Sequence, residues 1–279
     1  MMEFTLISGN NPIVATEFKP QKPNGTAIIM SCATGAKQSY FKSFATYLTE
    51  HGCLVFTYDY SGIGRSKPNS LKGYNTSASA WGKLDLTTVI DHVTQNCEYN
   101  KLLLIGQSIG GQIPGLSPSI NKVDGLINVV SQSGYWNLWP FPLNIGLLFN
   151  WYLLKVMTSL LGYFPGKKMG IMEDLPKGVA LEWAKWGLSK DYLFDHVKDA
   201  NEAYARLKLP LLAYSFSDDT TAPKNTVIAL NKKYADCRIQ HKHYTPAELQ
   251  LRSIGHFGFF REKCKVLWDD LIREINTYF

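Results

Sequence analysis

The run Leu102-Leu103-Leu104-Ile105-Gly106-Gln107-Ser108-Ile109-Gly110-Gly111 constrains this chain more than any other stretch. Its opening aliphatic residues have the length and composition of a strand buried on both faces, and Gly-x-Ser-x-Gly follows with no linker between. A serine placed there sits on a tight strand-to-helix turn. Small residues at Gly106 and Gly110 let the flanking backbones approach, so the serine is pushed into strained backbone angles and its hydroxyl projects above the sheet. The helix expected to begin there directs its N–H groups and positive end at any oxyanion beside Ser108. The same letters also serve a plain turn, so a catalytic reading requires a base and a carboxylate elsewhere in the chain.

The remaining sequence places that strand in an alternating pattern. Phe4 to Ile7 and Ile13 to Phe18 read as strands around the Gly9-Asn10-Asn11-Pro12 turn, and Thr26 to Ser31 is a continuous apolar strand. A helix with Phe41, Phe44, Ala45 and Leu48 on one face ends at Gly52. Cys53 to Tyr58 is the next strand. A helix over 79–95 follows, with Trp81, Leu84, Thr88 and Val89 facing inward, and Val123 to Val130 is the strand after Ser108. Leu209 to Phe216 and Arg238 to Tyr244 are strands, Pro223 begins a helix, and Cys264, Leu267, Trp268, Leu271, Ile272 and Ile275 mark one face of a closing helix. Strands alternating with helices predict an α/β protein with a mostly parallel sheet and helices on both faces. The rhythm breaks over 134–208, which is helical and loop-like, so the core is expected at 1–133 and 209–279 with a helical lid inserted at 134–208.

Composition removes several function classes. At 279 residues, 45% hydrophobic and 19% charged, the chain is globular and can bury one large core. The net charge of +6 is spread along the sequence without a basic tract, which argues against nucleic acid as a partner. Cys32, Cys53, Cys97, Cys237 and Cys264 are odd in number and far apart, matching neither a zinc site nor a disulfide framework. Met1 to Ile7 lacks a basic start and apolar core of a secretory signal, so the cytoplasm is the expected location, with no metal and no cofactor.

A serine hydroxyl needs a base and a group to orient that base. His51 falls in a last helical turn where it caps carbonyls, His92 lies inside a helix and His196 in the insertion. His241 and His243 alternate on one face of a strand with no third residue spaced to complete a metal site, and are read as a solvated face. His256 differs, because Ser253-Ile254-Gly255-His256-Phe257-Gly258 sets it in a glycine-flanked loop between the last strand and last helix. For the carboxylate, the strand ending at Phe216 opens onto Ser217-Asp218-Asp219-Thr220-Thr221-Ala222-Pro223. Both aspartates are placed to reach His256, and either could instead cap the helix beginning at Pro223.

With these residues assembled, the chain resembles the α/β-hydrolase superfamily over nearly its whole length. Gly106 to Gly110 resembles its nucleophile elbow, Asp59-Tyr60-Ser61-Gly62-Ile63-Gly64-Arg65-Ser66 its D-x-x-G-x-G-x-S loop, and Asp219 to Pro223 its D-x-x-x-P acid segment, with Gly255-His256 completing the order. Within the superfamily the text is most similar to the lipase and serine-aminopeptidase-like branch that includes monoglyceride lipases, and to predicted hydrolases carrying Ser-Phe-Ser-Asp-Asp and Gly-His-x-Gly-Phe-Phe. The resemblance implies an α/β-hydrolase fold and a serine hydrolase of carboxylic esters with Ser108 as nucleophile, Asp219 as acid (Asp218 the alternative) and His256 as base. Thioesters, amides or peptides use the same machinery, and a non-catalytic binding protein on this scaffold is the reading from another class. The superfamily's His-Gly after its third strand is replaced here by Ser31-Cys32. A backbone N–H does not depend on side chain, so Ala33, or Thr34 if the loop is shifted by one, is expected to share the oxyanion with Ile109.

Gly134 to Leu154 holds no charged residue and is crowded with Trp136, Trp139, Phe141, Leu143, Ile145, Leu147, Leu148, Phe149 and Trp151. Its prolines and asparagines and its place inside a soluble domain argue against a membrane span. These residues are expected to cover the sheet and form the insertion's core, with some lining an apolar pocket above Ser108 or meeting lipid from the outer face. Lys155, Lys167, Lys168 and Lys177 lie close by. A small-molecule ester or thioester is the expected partner.

Overall fold

The computed structural model describes residues 1–279. In chain order, β1 (Met2–Ser8), β2 (Asn11–Phe18) and β3 (Thr26–Ser31) precede α1 (Lys42–Glu50) and β4 (Leu54–Tyr58). A helical stretch follows, made of α2 (Ala78–Ala80), a π-helical segment (Trp81–Leu86) and α3 (Thr87–Asn96). Then come β5 (Lys101–Gln107), α4 (Ile109–Gln112) and β6 (Gly125–Val129). Between β6 and the return to the sheet lie α5 (Leu143–Leu161), the two-residue strands β7 (Tyr163–Phe164) and β8 (Leu175–Pro176), α6 (Lys177–Gly187) and α7 (Ala200–Ala205). The chain closes with β9 (Pro210–Phe216), α8 (Lys224–Asn231), β10 (Arg238–Tyr244) and α9 (Lys265–Thr277).

The main sheet has eight strands in the order β1-β2-β4-β3-β5-β6-β9-β10. The pairs β1/β2 and β2/β4 are antiparallel and the remaining neighbours parallel. Every residue of β3 and all of β5 after Lys101 are buried. That is why these two strands are continuous apolar runs: strands flanked on both edges and covered on both faces have no solvent side on which to alternate. At the far edge, β10 has no fully buried residue and is correspondingly polar. Parallel order sends the C-terminal ends of β5, β6 and β9 to one edge of the sheet, and the loops carrying Ser108, Gln132 and Asp219 all open there.

The helix before β5 departs from the expected pattern. Leu84, read as an inward position, is 45% exposed, while Asp85 is buried. The π-helical segment is the cause, because its wider turn rotates the residues after Trp81 by about one position relative to an α-helix. Thr88 is likewise only half-buried, whereas Trp81 and Val89 face inward as expected.

Asp85 has no cation beside it. Its carboxylate accepts from Ser8 Oγ at 2.5 Å and from the Ser61 N–H at 2.8 Å. Burial pushes its pKa up to about 6, those hydrogen bonds offsetting part of the shift. Since the folded-state value lies above the unfolded one, Asp85 favours the fold fully below pH about 4, and that contribution is lost as pH rises through about 6. The difference is on the order of 3 kcal/mol. Asparagine mimics the protonated acid, accepting from Ser61 N–H and donating to Ser8. The melting temperature of Asp85→Asn relative to wild type should therefore rise by several degrees between pH 4 and pH 7. A constant difference across that range, measured by calorimetry, would contradict the assignment.

Candidate active site

Ser108 follows the last residue of β5 and adopts φ 53°, ψ −116°. A non-glycine residue rarely takes a positive φ, and here the surroundings enforce it. The Ser108 N–H donates to Val129 O at 3.0 Å, while Gly110 packs so close that a Cβ there would lie 2.2 Å from Ser31 O. A Cβ on Gly106 would stand 2.4 Å from the Gly110 backbone, so both glycines are needed for close approach. The helix that follows is shorter than the sequence suggests. α4 spans only four residues before Pro114 opens a 3-10 turn, so it contributes local N–H groups rather than a long dipole.

The Ser217 to Pro223 loop brings its two aspartates to different tasks on one target. Asp219 Oδ2 accepts from His256 Nδ1 at 2.8 Å, and its Oδ1 accepts from the N–H groups of Thr221 and Ala222 at 2.8 and 3.0 Å. Asp218 grips the backbone of the histidine loop instead, accepting from Ile254 N–H at 2.8 Å and Gly255 N–H at 3.1 Å. Neither side chain caps α8, whose N-terminal neighbour is Pro223. Gly255 has φ +63°, a left-handed turn that glycine adopts freely, which sets His256 at the bend. Gln107 Nε2 donates to His256 O at 2.9 Å, and the Tyr40 hydroxyl donates to Phe257 O. The imidazole is thus held through its ring, its own carbonyl and its neighbours, and its Nε2 bonds to no other group of the chain.

Ser108, Ala33, Thr34, Gln132 and His256 line one cavity of about 620 Å³. Trp183, Ile171, Met172 and Phe257 supply its apolar wall, and Lys37, Lys167 and Glu173 its charged mouth, with Lys37 and Glu173 paired at 3.3 Å. The N–H groups of Ala33 and Thr34 donate to nothing in the chain, and Ile109, as the first residue of α4, has no acceptor inside the helix. The Thr34 hydroxyl is also buried without a partner. A hollow of about 610 Å³ between β2 and α1, lined by Lys19, Lys22 and Glu50 among others, holds no serine, cysteine or histidine.

Three expectations are revised by side-chain placement. The aromatics of the uncharged run do not line this cavity, whose apolar wall comes from Ile171, Met172, Trp183 and Phe257. Nor are most of them interior: Phe141, Leu143, Ile145 and Phe149 are exposed, while Trp139 turns in to donate to Thr220 O and Trp151 packs edge-on against Trp183. Along α5 the exposed apolar residues recur at helical spacing on the side away from the core, which a linear sequence does not distinguish from an inward stripe. His241 and His243 are not simply solvated, since Nε2 of the first and Nδ1 of the second share the buried Ser215 hydroxyl at 2.8 and 2.7 Å. Burial holds both imidazoles below the usual histidine range.

Asp59, the first residue of the Asp-x-x-Gly-x-Gly-x-Ser loop, lies outside the cavity. Its carboxylate accepts from the N–H groups of Gln38 and Arg65 at 2.7 and 2.9 Å, and Ser66 Oγ donates to its carbonyl at 2.7 Å. The loop is a brace between β4 and the turn before α1. Burial raises the Asp59 pKa against those hydrogen bonds.

Eight-stranded order, elbow, and carboxylate and histidine on successive loops at one sheet edge decide the architecture. The chain has the α/β-hydrolase fold. A family model described as "Serine aminopeptidase, S33" matches residues 21–131. An esterase from Exiguobacterium antarcticum superposes with a TM-score of 0.66 at 15% identity, covering 99% of this chain and 100% of that one. A monoacylglycerol lipase from Paleococcus ferrophilus gives 0.64 at 14% identity over 96% of this chain and 99% of its own. No curated protein matches by sequence. No helix of this α/β-hydrolase-fold chain is long and apolar enough to cross a membrane.

Sequence reasoning did not find Gln132, Gln112 or Tyr192 as residues of the site. Ser108 Oγ donates to Gln132 Oε1 at 3.5 Å and not to His256. A polar residue directly after a buried strand at the loop-bearing edge was the available signal, and Ser131-Gln132-Ser133 after β6 carries it.

Proposed function

We propose that this protein is a serine hydrolase of carboxylic esters bearing an apolar acyl or aromatic group. The observation that carries the reading is the strained Ser108 in one cavity with His256, whose far ring nitrogen is held by the buried Asp219. Ser108 Oγ attacks the ester carbonyl as His256 Nε2 removes its proton, and the resulting oxyanion is held by the N–H groups of Ile109 and Ala33. His256 returns the proton to the leaving alkoxide, which departs with the C–O bond pair. An acyl-enzyme on Ser108 remains, and water activated by the same imidazole releases the acid. Asp219 keeps the imidazole in the tautomer that presents a free Nε2. The wall of Ile171, Met172, Trp183 and Phe257 suits a hydrophobic moiety. Thioesters and amides would pass through the same steps, and a chain-length series of esters and thioesters separates them. Folded protein that neither hydrolyses p-nitrophenyl esters nor is labelled by a fluorophosphonate would overturn the proposal.

The 134–208 insertion acts as the lid in this reading, and its outer face fits a lipid surface. Phe141, Phe149 and Leu160 are 82%, 65% and 80% exposed, and the exposed Ile145 and Val156 lie on the same side of α5 as Phe149 and Leu160. No acidic residue occurs between Gly134 and Met172, while Lys155, Lys167 and Lys168 do, so the face is apolar with cationic flanks. An anionic bilayer complements that pattern, whereas a second copy would oppose lysine to lysine. Wild-type protein should co-sediment with phosphatidylglycerol vesicles, and Phe149→Ser with Leu160→Ser should weaken binding about tenfold or more. Equal sedimentation of variant and wild type, or self-association in place of binding, would refute lipid contact.

A further inference from the structure

Five side chains join the insertion to the nucleophile through hydrogen bonds that converge on one oxygen, Oε1 of Gln132. Trp183 Nε1 donates to the Tyr192 hydroxyl at 3.0 Å, Tyr192 donates to Gln112 Oε1 at 2.8 Å, and Gln112 Nε2 donates to Gln132 Oε1 at 3.2 Å. Ser108 Oγ closes the relay on that same Gln132 oxygen at 3.5 Å. Tyr192, Gln112, Gln132 and Ser108 are 1%, 2%, 6% and 6% exposed, so water has little access to replace these partners.

The polarity of the relay follows from its first member. An indole N–H only donates, so the Tyr192 oxygen accepts from Trp183 and its proton must go onward. Gln112 must then present its oxygen to Tyr192 and its amino group to Gln132. Gln132 in turn presents its oxygen to Gln112, while its Nε2 donates to Thr221 O at 3.4 Å, which fixes the same orientation from the other end. The group left facing Ser108 is therefore a carbonyl oxygen, which can only accept. The Ser108 proton points at Gln132, and the lone pair of His256 Nε2 receives nothing.

We infer that Gln132, oriented by Gln112, Tyr192 and Trp183, is a positioning residue that holds the resting Ser108 hydroxyl away from His256, so that acylation requires the hydroxyl to turn. The inference rests on the hydrolase reading and adds a residue with an opposing role to it. Two features tie the hold to substrate entry. Trp183 itself lines the cavity, so a bound group pressing on the indole disturbs the donor that sets the whole relay. Trp151 of α5 packs on Trp183 with ring centroids 4.8 Å apart, which links the relay to the helix bearing the exposed apolar face. Tyr192 has φ +55°, so the residue linking insertion and core is itself held in strained backbone.

The readout is the second-order rate of labelling by a small fluorophosphonate, which reports Ser108 reactivity without a requirement for deacylation. Gln132→Met keeps the length of the side chain and removes the acceptor. It should label faster than wild type by about twofold or more, the lower end of what one hydrogen bond contributes, since the contact is 3.5 Å long. Trp183→Phe frees the Tyr192 hydroxyl and Gln112 to reverse, leaving Gln132 held only by its 3.4 Å bond to Thr221 O, so it should also label faster, by less than Gln132→Met. The double variant should be no faster than Gln132→Met alone, because both changes act through one oxygen. Damage to the fold would lower the rate, so a gain separates positioning from a merely structural role, and Trp183→Phe provides the test if Gln132→Met does not fold. Reactive wild type with neither variant faster, or with additive gains in the double variant, overturns the hold on Ser108 while leaving the hydrolase reading intact. Wild type inert alongside both variants overturns the two together.

Discussion

Ser108→Ala is expected to remove fluorophosphonate labelling completely and to lower p-nitrophenyl ester hydrolysis by roughly 10⁴-fold or more. The argument starts from what the substitution leaves in place. Alanine meets the same backbone strain at φ 53° as serine, so the elbow keeps its shape and the fold its stability. Only the Oγ and its weak bond to Gln132 are lost. With the cavity, the Asp219–His256 pair and the free N–H groups of Ile109 and Ala33 intact, the variant should still bind ester or product. Loss of activity with unchanged circular dichroism and melting temperature then assigns chemistry, not folding, to the hydroxyl. Appreciable hydrolysis by the alanine variant would remove Ser108 from the mechanism.

Asp219→Asn should cost about 10³- to 10⁴-fold in kcat/KM, and Asp218→Asn about tenfold or less. The contrast comes from what each carboxylate accepts. In Asp219→Asn the N–H groups of Thr221 and Ala222 continue to require an oxygen at the Oδ1 position. The new amide therefore turns its NH₂ toward His256 Nδ1, and the imidazole must place its proton on Nε2, where it can no longer accept from Ser108. Asp218→Asn leaves the ring pairing alone. It loses one acceptor for the Ile254 and Gly255 N–H groups, so its main effect should be a stability loss of about 1–3 kcal/mol with a looser histidine loop. Steady-state kinetics and thermal melting of the two variants decide the matter, and a larger catalytic loss in Asp218→Asn would exchange their roles.

The two aspartates also mark how far a sequence can be read. Adjacent carboxylates on one loop are equivalent in one dimension, and the spacing to Pro223 separated them only through a family pattern. In three dimensions the turn after β9 sends one to the ring of His256 and the other to the backbone beside it. Leu84 and Asp85 show a different limit. A hydrophobic periodicity of 3.6 assumes an α-helix throughout, and a π-helical segment shifts the inward face by a residue without any local sequence signal. The aromatic run after Gly134 shows a third limit. Apolarity reports that a residue avoids water, and on α5 it does not report which partner excludes the water.

The sequence by itself determined the sheet, because strands buried on both faces must be uninterrupted apolar runs and the turns between them carry their own glycine and proline chemistry. It also determined the elbow, whose two glycines answer to backbone contacts that a Cβ would close. Only the tertiary structure decided the surroundings of Ser108. Gln132, Gln112, Tyr192 and Trp183 come from four separate segments, and no local preference records that their hydrogen bonds converge with that of Ser108 on one oxygen. A donor's partner is set by packing between elements distant in the chain, and the resting direction of the Ser108 proton is a property of that packing.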